Sequence, residues 1–355
     1  MLIKVSDPVF QTVLLTIFFL CLLLVSIKRI KEEGFLSKKV TNQLKGFAIL
    51  AIIFGHIGYF LSSDTKFLYP LSVLSGTGVN LFLFLSGLGL TVSNLQSPLP
   101  VLSFYKKRLF KLFIPLWIAI TLILLADFFL LHRTYPIREI VYSFLGFYPR
   151  ADLWQNLDSP LWYFSVIIFY YLIFPLLFIR KIPLISPLLV LLVSLFILNL
   201  SLPVDRDVLK LYKLHTLAFP LGMLFGLLIQ HLKFKLHMAF KILALLIAVA
   251  TFLYTAIHSG VGQDPKIEQG ISLITAFSAV IIFALSGWEF KLFSFFGLYS
   301  YEIYLLHWPI LSRFNPFLQL PPFLTVILNL VFFILFAYTL QKLFLFLQNK
   351  RGYIK

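Results

Sequence analysis

The sequence predicts an all-α polytopic membrane protein with about 11 transmembrane helices, and three observations carry that prediction. Of the 355 residues, 60% are hydrophobic and only 12% are charged, against roughly 25% charged in ordinary soluble domains. Mean hydropathy is +0.95, and no polar stretch is long enough for a separate soluble domain. Apolar runs of about 17–25 residues, the length that crosses a bilayer, recur along the chain.

In order, the runs fall at 9–27, 44–63, 72–93, 113–131, 161–180, 184–200, 214–232, 238–257, 270–286, 294–312 and 322–346. Only Arg180, Lys181 and Pro183 separate the fifth from the sixth. Pro115, Pro175, Pro220 and Pro309 fall in or near runs, which membrane helices accommodate when neighbours satisfy the freed backbone groups. The first run has only Lys4 as a basic lead and no small-residue cleavage site, and Lys28, Arg29 and Lys31 follow it. It is expected to be a retained anchor rather than a signal peptide. The single cysteine, Cys21, excludes an intrachain disulfide.

The charge distribution sets an orientation. With the N-terminus outside, the inner side receives Lys28, Arg29, Lys31, Lys38, Lys39, Lys45, Lys106, Lys107, Arg108, Lys111, Arg180, Lys181, Lys233, Lys235, Lys241, Lys291, Lys342, Lys350, Arg351 and Lys355. That is 20 of the 30 Lys+Arg, so the positive-inside rule favours N-out, C-in in the cell (inner, cytoplasmic) membrane. The net charge of +16 thereby has a topogenic reading, and the bilayer rather than nucleic acid is the expected partner.

Ionisable side chains inside hydrocarbon are costly and mark functional sites. His56 stands eleven residues after Lys45 in the second run, about 16 Å further along a helix and past the middle of a core roughly 30 Å thick. In this orientation His56 lies in the outer half. Asn80 on the descending third run and His307 on the tenth reach a similar level, Glu302 is near mid-membrane, Ser86 lies lower, and Trp162 heads the fifth run at the outer interface. Each also has a structural reading, since an intramembrane histidine or asparagine can bond a neighbouring helix for roughly 1–2 kcal/mol or less. Gly76, Gly78, Gly87 and Gly89 permit either close helix approach or a channel for an extended ligand. The inner loop from Tyr105 to Lys111 is a cationic cluster, read as topogenic and lipid-attracting charge or as a phosphate clamp with Arg108 and Lys111 on one helix face.

These segments resemble the membrane acyltransferase family 3, the O-acyltransferases that decorate bacterial glycans. Lys45 to His56 is similar to its first core helix, with a basic residue, ten intervening residues and a histidine. Gly78-Val-Asn-Leu-Phe-Leu-Phe-Leu-Ser-Gly87 is similar to its second-helix motif, and Arg108-Leu-Phe-Lys111 with Pro115 to its basic inner-loop motif. Ser159-Pro-Leu-Trp-Tyr-Phe-Ser165 with Phe174-Pro175, and the segment from Phe296 to Pro309, match two further blocks. The motifs occur in order between about residues 41 and 346. In this chain Lys45 stands where arginine is frequent, Asn80 where an acid is common, and Lys111 in place of a second arginine.

The resemblance implies a ten-helix core at 41–346, an N-terminal extra helix and basic loop at 1–40, and a basic cytoplasmic tail at 347–355. It implies transfer of an acyl group, most simply acetyl from acetyl-CoA, to a carbohydrate hydroxyl. His56 is then the general base, with Lys45, Asn80 and Glu302 in catalytic support. Arg108, Lys111, Lys107 and Ser86 are expected at the acyl-CoA, and Trp162, Tyr301 and His307 at the acceptor. No metal is expected, and a homo-oligomer is compatible with the sequence. The alternative is a proton-coupled transporter or glycan flippase, which buried His and Glu would also serve, although the two halves show no convincing repeat.

Overall fold

The computed structural model of the protein describes residues 2–30, 34–152, 157–231, 237–260 and 264–350. The apolar runs form helices: α1 (Pro8–Val25), α2 (Lys38–Gly55), α3 (Ser75–Gln96), α4 (Val101–Leu131), α5 (Ile137–Leu145), α6 (Trp162–Leu177), α7 (Ile185–Leu198), α8 (Arg206–His215), α9 (Ala218–His231), α10 (Met238–Ala256), α11 (Pro265–Ser286), α12 (Lys291–Leu298), α13 (Ser300–Ser312) and α14 (Pro322–Lys350). Among the described residues, nine helical stretches are long and apolar enough to cross a membrane, with α8 and α9 sharing one, Arg206–Gln230. The chain is an all-α, multi-pass membrane protein.

Four details depart from the sequence reading. The 294–312 run is broken at Tyr299 into α12 and α13, of 8 and 13 residues. The Tyr105–Lys111 segment is helical rather than a loop, because α4 starts after Pro100 and runs 31 residues through Pro115. The sixth run forms only the 14-residue α7, about 21 Å long. Two three-residue strands, Ile27–Arg29 and Trp288–Phe290, pair antiparallel; such short strands leave no periodicity to read. Of the cations that set the orientation, Lys31, Lys233, Lys235, Arg351 and Lys355 lie outside the described residues.

The helices group into two compact units. The first comprises Met1–Ser93, Leu214–Ser300 and Pro316–Asn329, so α1 and α2 lie in one unit. Asp7 caps α1 by accepting from the Phe10 amide at 3.1 Å, with Pro8 at the first helical position, where its missing N–H costs nothing. Thr12 on α1 accepts from the Leu68 amide at 2.8 Å, and Phe19 meets Phe54 edge-on.

The core of this unit is α2 against α3, α11 and α12. Leu44, Ala48, Leu81, Phe84 and Val280 are buried in one apolar cluster. Lipid tails are as apolar as these side chains, so close packing and polar contacts hold such helices together. Both appear at α2: a Cβ at Gly46 would overlap the Phe293 carbonyl, and one at Gly297 the Asn42 carbonyl. Alongside, the Asn42 amide donates to the Ser294 carbonyl at 2.6 Å and Gln43 accepts from the Phe290 amide at 2.8 Å. The same reciprocity joins α3 to α9, where a Cβ at Gly87 would strike the Phe219 carbonyl and one at Gly222 the Phe84 carbonyl. Gly78 meets the Ala48 carbonyl in the same way. Close helix approach therefore accounts for Gly78 and Gly87, and the ligand-channel reading of these two glycines is not needed.

The second unit comprises Asn94–Lys213, Tyr301–Asn315 and Leu330–Lys355. Here α4 and α6 pack through Phe104 stacked on Phe174 and Phe113 edge-on to Phe164, and the Tyr105 hydroxyl donates to the Leu172 carbonyl at 2.6 Å. Segment 301–315 joins them: Tyr301 donates to the Leu112 carbonyl at 2.5 Å, and Tyr304 to the Pro160 carbonyl at 3.1 Å. Trp308 is fully buried.

Candidate active site

In the first unit α2 carries both Lys45 and His56. The helix is regular to Gly55, and a π-helical turn, His56–Leu61, begins at the histidine itself. Single π turns are rare, widen the backbone and recur at functional sites. Two glycines let the 67–75 segment close on this turn: a Cβ at Gly55 would strike Ser75, and one at Gly58 the Phe67 carbonyl and Ser72. His56 is half-buried, with its ring 6.0 Å from the Phe60 ring. Lys45 is exposed, and Ser86 on α3 is half-buried.

Asn80 is fully buried, and its amide is engaged at both ends. Its Oδ1 accepts from His215 Nδ1 at 2.8 Å, and its Nδ2 donates to Ser272 Oγ at 2.8 Å. The contact fixes the His215 ring with its proton on Nδ1, because an amide oxygen can only accept. Beside it, Thr77 and Ser259 hydroxyls lie 3.3 Å apart. The partner of Asn80 is thus His215, a buried histidine that the sequence reading passed over. Its signal was available, since it stands at the head of a span as His56 does within one. The polar contacts of Asn80 join α3 to His215 and α11, which makes it an interhelical clasp.

In the second unit the basic side chains stand on one helix. Arg108 is half-buried and Lys107 and Lys111 are exposed on α4, with Arg108 and Lys111 three apart on one face. Trp162 opens α6 and is buried, its ring 6.3 Å from the Tyr212 ring. Tyr301 has its hydroxyl committed to a backbone carbonyl and its ring stacked on Tyr304. Glu302 is buried, with the Gln341 side chain beside it. His307 is fully buried, and its Nδ1 faces the Tyr304 carbonyl at 2.9 Å and the Ile303 carbonyl at 3.2 Å. Carbonyls only accept, so Nδ1 carries a proton.

The structure thus sorts the expected residues into two sets. Lys45, His56, Asn80 and Ser86 belong to the first unit, and Lys107, Arg108, Lys111, Trp162, Tyr301, Glu302 and His307 to the second. No group of three or more potential metal ligands exists among the described residues.

The second unit also holds an ion pair that the sequence reading missed. Arg313 binds Asp127 through two bonds, Nε to Oδ1 at 2.9 Å and Nη2 to Oδ2 at 3.1 Å, and donates a third to the Leu157 carbonyl at 2.8 Å. The Tyr135 hydroxyl adds a 2.6 Å bond to Asp127; burial and this bond push its pKa above the ordinary tyrosine value. Asp127 is fully buried and Arg313 nearly so. The signal was a lone carboxylate near the end of an apolar run, which needs a partner; which cation pairs with it cannot be read from spacing across 186 residues.

Comparison with known proteins adds one finding. A family model described as "Acyltransferase domain" matches residues 41–342, which is most of the chain. No curated protein and no solved structure matches.

Proposed function

The chain belongs to the membrane acyltransferase family 3, and from that premise we propose that it moves an acetyl group from acetyl-CoA to a hydroxyl of a cell-envelope or exported carbohydrate. The observation that carries the proposal is the family match over 41–342 together with a histidine that starts a π turn on the same helix as Lys45. In this reading the neutral imidazole of His56 takes the proton of the sugar hydroxyl as its oxygen attacks the thioester carbonyl. The C–O bond forms, the C–S bond breaks, and the proton passes from the imidazolium to the departing thiolate, giving free CoA. Lys45, Lys107, Arg108 and Lys111 supply positive charge for the CoA phosphates, with Arg108 the one side chain able to grip a phosphate with a planar fork. Ser86, Trp162, Tyr301, Glu302 and His307 are assigned to donor and acceptor contacts. The membrane is the cell membrane, with the N-terminus outside and the C-terminus in the cytoplasm.

The test uses purified protein in detergent, labelled acetyl-CoA and total cell-envelope glycan. Label in the glycan, with free CoA released in step, is the expected result. Glycan movement across sealed proteoliposomes without any label transfer would replace this reading with transport.

A further inference from the structure

The second unit contains a cavity of about 260 Å³ that the reaction scheme above does not use. Its wall comes from α5, the turn after it and residues 157–158, and it includes Arg138, Glu139, Tyr142, Tyr148, Arg150 and Asp158. None of these was singled out by the sequence.

Asp158 is the informative group. It is 1% exposed, and neither carboxylate oxygen has a hydrogen-bond partner. It stands at the N-cap of a helical turn, Ser159–Leu161, yet makes no capping bond, although an aspartate there ordinarily bonds the free amides. Arg313 is the neighbouring positive charge, but its bonds go to Asp127 and Leu157. A buried carboxylate left without donors is costly, and burial pushes its pKa well above the ordinary value. Such a cost is retained where a ligand supplies the missing donors.

The rest of the wall selects the ligand. Glu139 is a second acceptor, held in place by the Leu157 amide at 3.0 Å. The Tyr148 hydroxyl donates to the Ser143 carbonyl at 3.1 Å and keeps its lone pairs. Tyr142 stands edge-on to Phe147 with the Arg138 guanidinium over its ring. Two carboxylates disfavour an anion, and two arginines disfavour a cation. A neutral ligand rich in hydroxyls, which both donate and accept, suits the wall, and aromatic faces suit the apolar face of a sugar ring. The volume is just below the roughly 300–1,000 Å³ of sites for drug-sized ligands, so it takes one ring rather than a chain.

We infer that this cavity binds a single pyranose unit, with Asp158 accepting hydrogen bonds from its hydroxyls and Tyr142 bearing on its ring. As the acceptor's docking site the inference rests on the acyltransferase reading; as a sugar site it stands independently. The experiment is saturation-transfer NMR with titration of methyl hexosides, methyl N-acetylhexosaminides and methyl hexuronides against detergent-solubilised full-length protein without acetyl-CoA. At least one glycoside is expected to bind. Asp158→Asn, which keeps the shape, should weaken it about ten- to a hundredfold, and Tyr142→Ala should weaken it too. Thermal stability separates site from scaffold: Asp158→Asn should unfold at the same temperature as wild type or higher, since a buried carboxyl without hydrogen-bond partners, costly in its charged form, gives way to a neutral amide of the same shape. No binding of any glycoside at about 50 mM, a concentration that saturates a site with a Kd of about 1 mM, or unchanged binding in Asp158→Asn, overturns the inference. Binding without acetyl transfer would remove the acyltransferase reading alone, and transfer without binding would remove the cavity alone.

Discussion

Arg313→Ala gives the sharpest test of how the second unit is held together. The substitution removes two bonds to Asp127 and one to the Leu157 carbonyl, and leaves a fully buried carboxylate with only the Tyr135 hydroxyl. Breaking one side of a buried pair costs about 3–5 kcal/mol. Asp127→Ala should cost somewhat less, because Arg313 also faces the charge of Asp158 and keeps its bond to Leu157. Replacing both with apolar residues, Asp127→Leu with Arg313→Met, should recover much of the loss, since apolar substitutes for a buried pair are often neutral; the residue of the cost belongs to Asp158. Reversible unfolding in mixed micelles of the two alanine variants and of the combined Asp127→Ala, Arg313→Ala variant, read as a double-mutant cycle, measures the coupling. A double variant that loses the sum of the two single losses would refute the reasoning, as would single losses below about 1 kcal/mol.

Three further outcomes follow from the same structure. Gly87→Leu should destabilise the protein by about 1–3 kcal/mol or more, because its side chain would enter the Phe219 backbone, whereas Gly89→Leu, with nothing within 4 Å, should stay within about 0.5 kcal/mol; equal effects in unfolding titrations would contradict the helix-contact account. Arg108→Ala should raise the KM for acetyl-CoA several-fold, roughly the worth of a charged hydrogen bond, and leave the KM for glycan unchanged; a fall in protein level alone would return Arg108 to a topogenic role. Burial holds the Asp158 carboxyl well above its ordinary 3.8, so the folded state binds that proton more tightly than the unfolded chain. Its contribution to stability is present below about pH 4 and is lost as pH rises through the folded pKa. Asp158→Asn should remove that slope, and an identical pH–stability profile in the variant would show that burial does not perturb the group.

The spans were legible because length and hydropathy alone determine what can cross hydrocarbon. Where they failed, local backbone rules intervened: α4 begins directly behind Pro100 and absorbs the basic segment, and Tyr299 separates α12 from α13. His56 was legible as an ionisable group deep in a span, and the π turn that starts there was not, since nothing in Gly-His-Ile-Gly spells a widened turn. Asn80 was legible as a polar group needing a partner; the partner, His215, is 135 residues away. Asp127 was legible only as a carboxylate needing a partner, Arg313 and Asp158 look ordinary beside the ends of apolar runs, and only the three-dimensional arrangement distinguishes the paired carboxylate from the unpaired one. The family motifs supplied the reaction class that composition alone left open between transferase and transporter.

The most direct test of the central claim is acetyl transfer by wild type and His56→Ala side by side, with labelled acetyl-CoA, the same glycan acceptor and equal amounts of folded protein. The account predicts label in glycan from wild type, at least a hundredfold less from the variant, in line with the worth of a positioned base, and acetyl-CoA binding retained by both. Wild-type turnover in His56→Ala would contradict it.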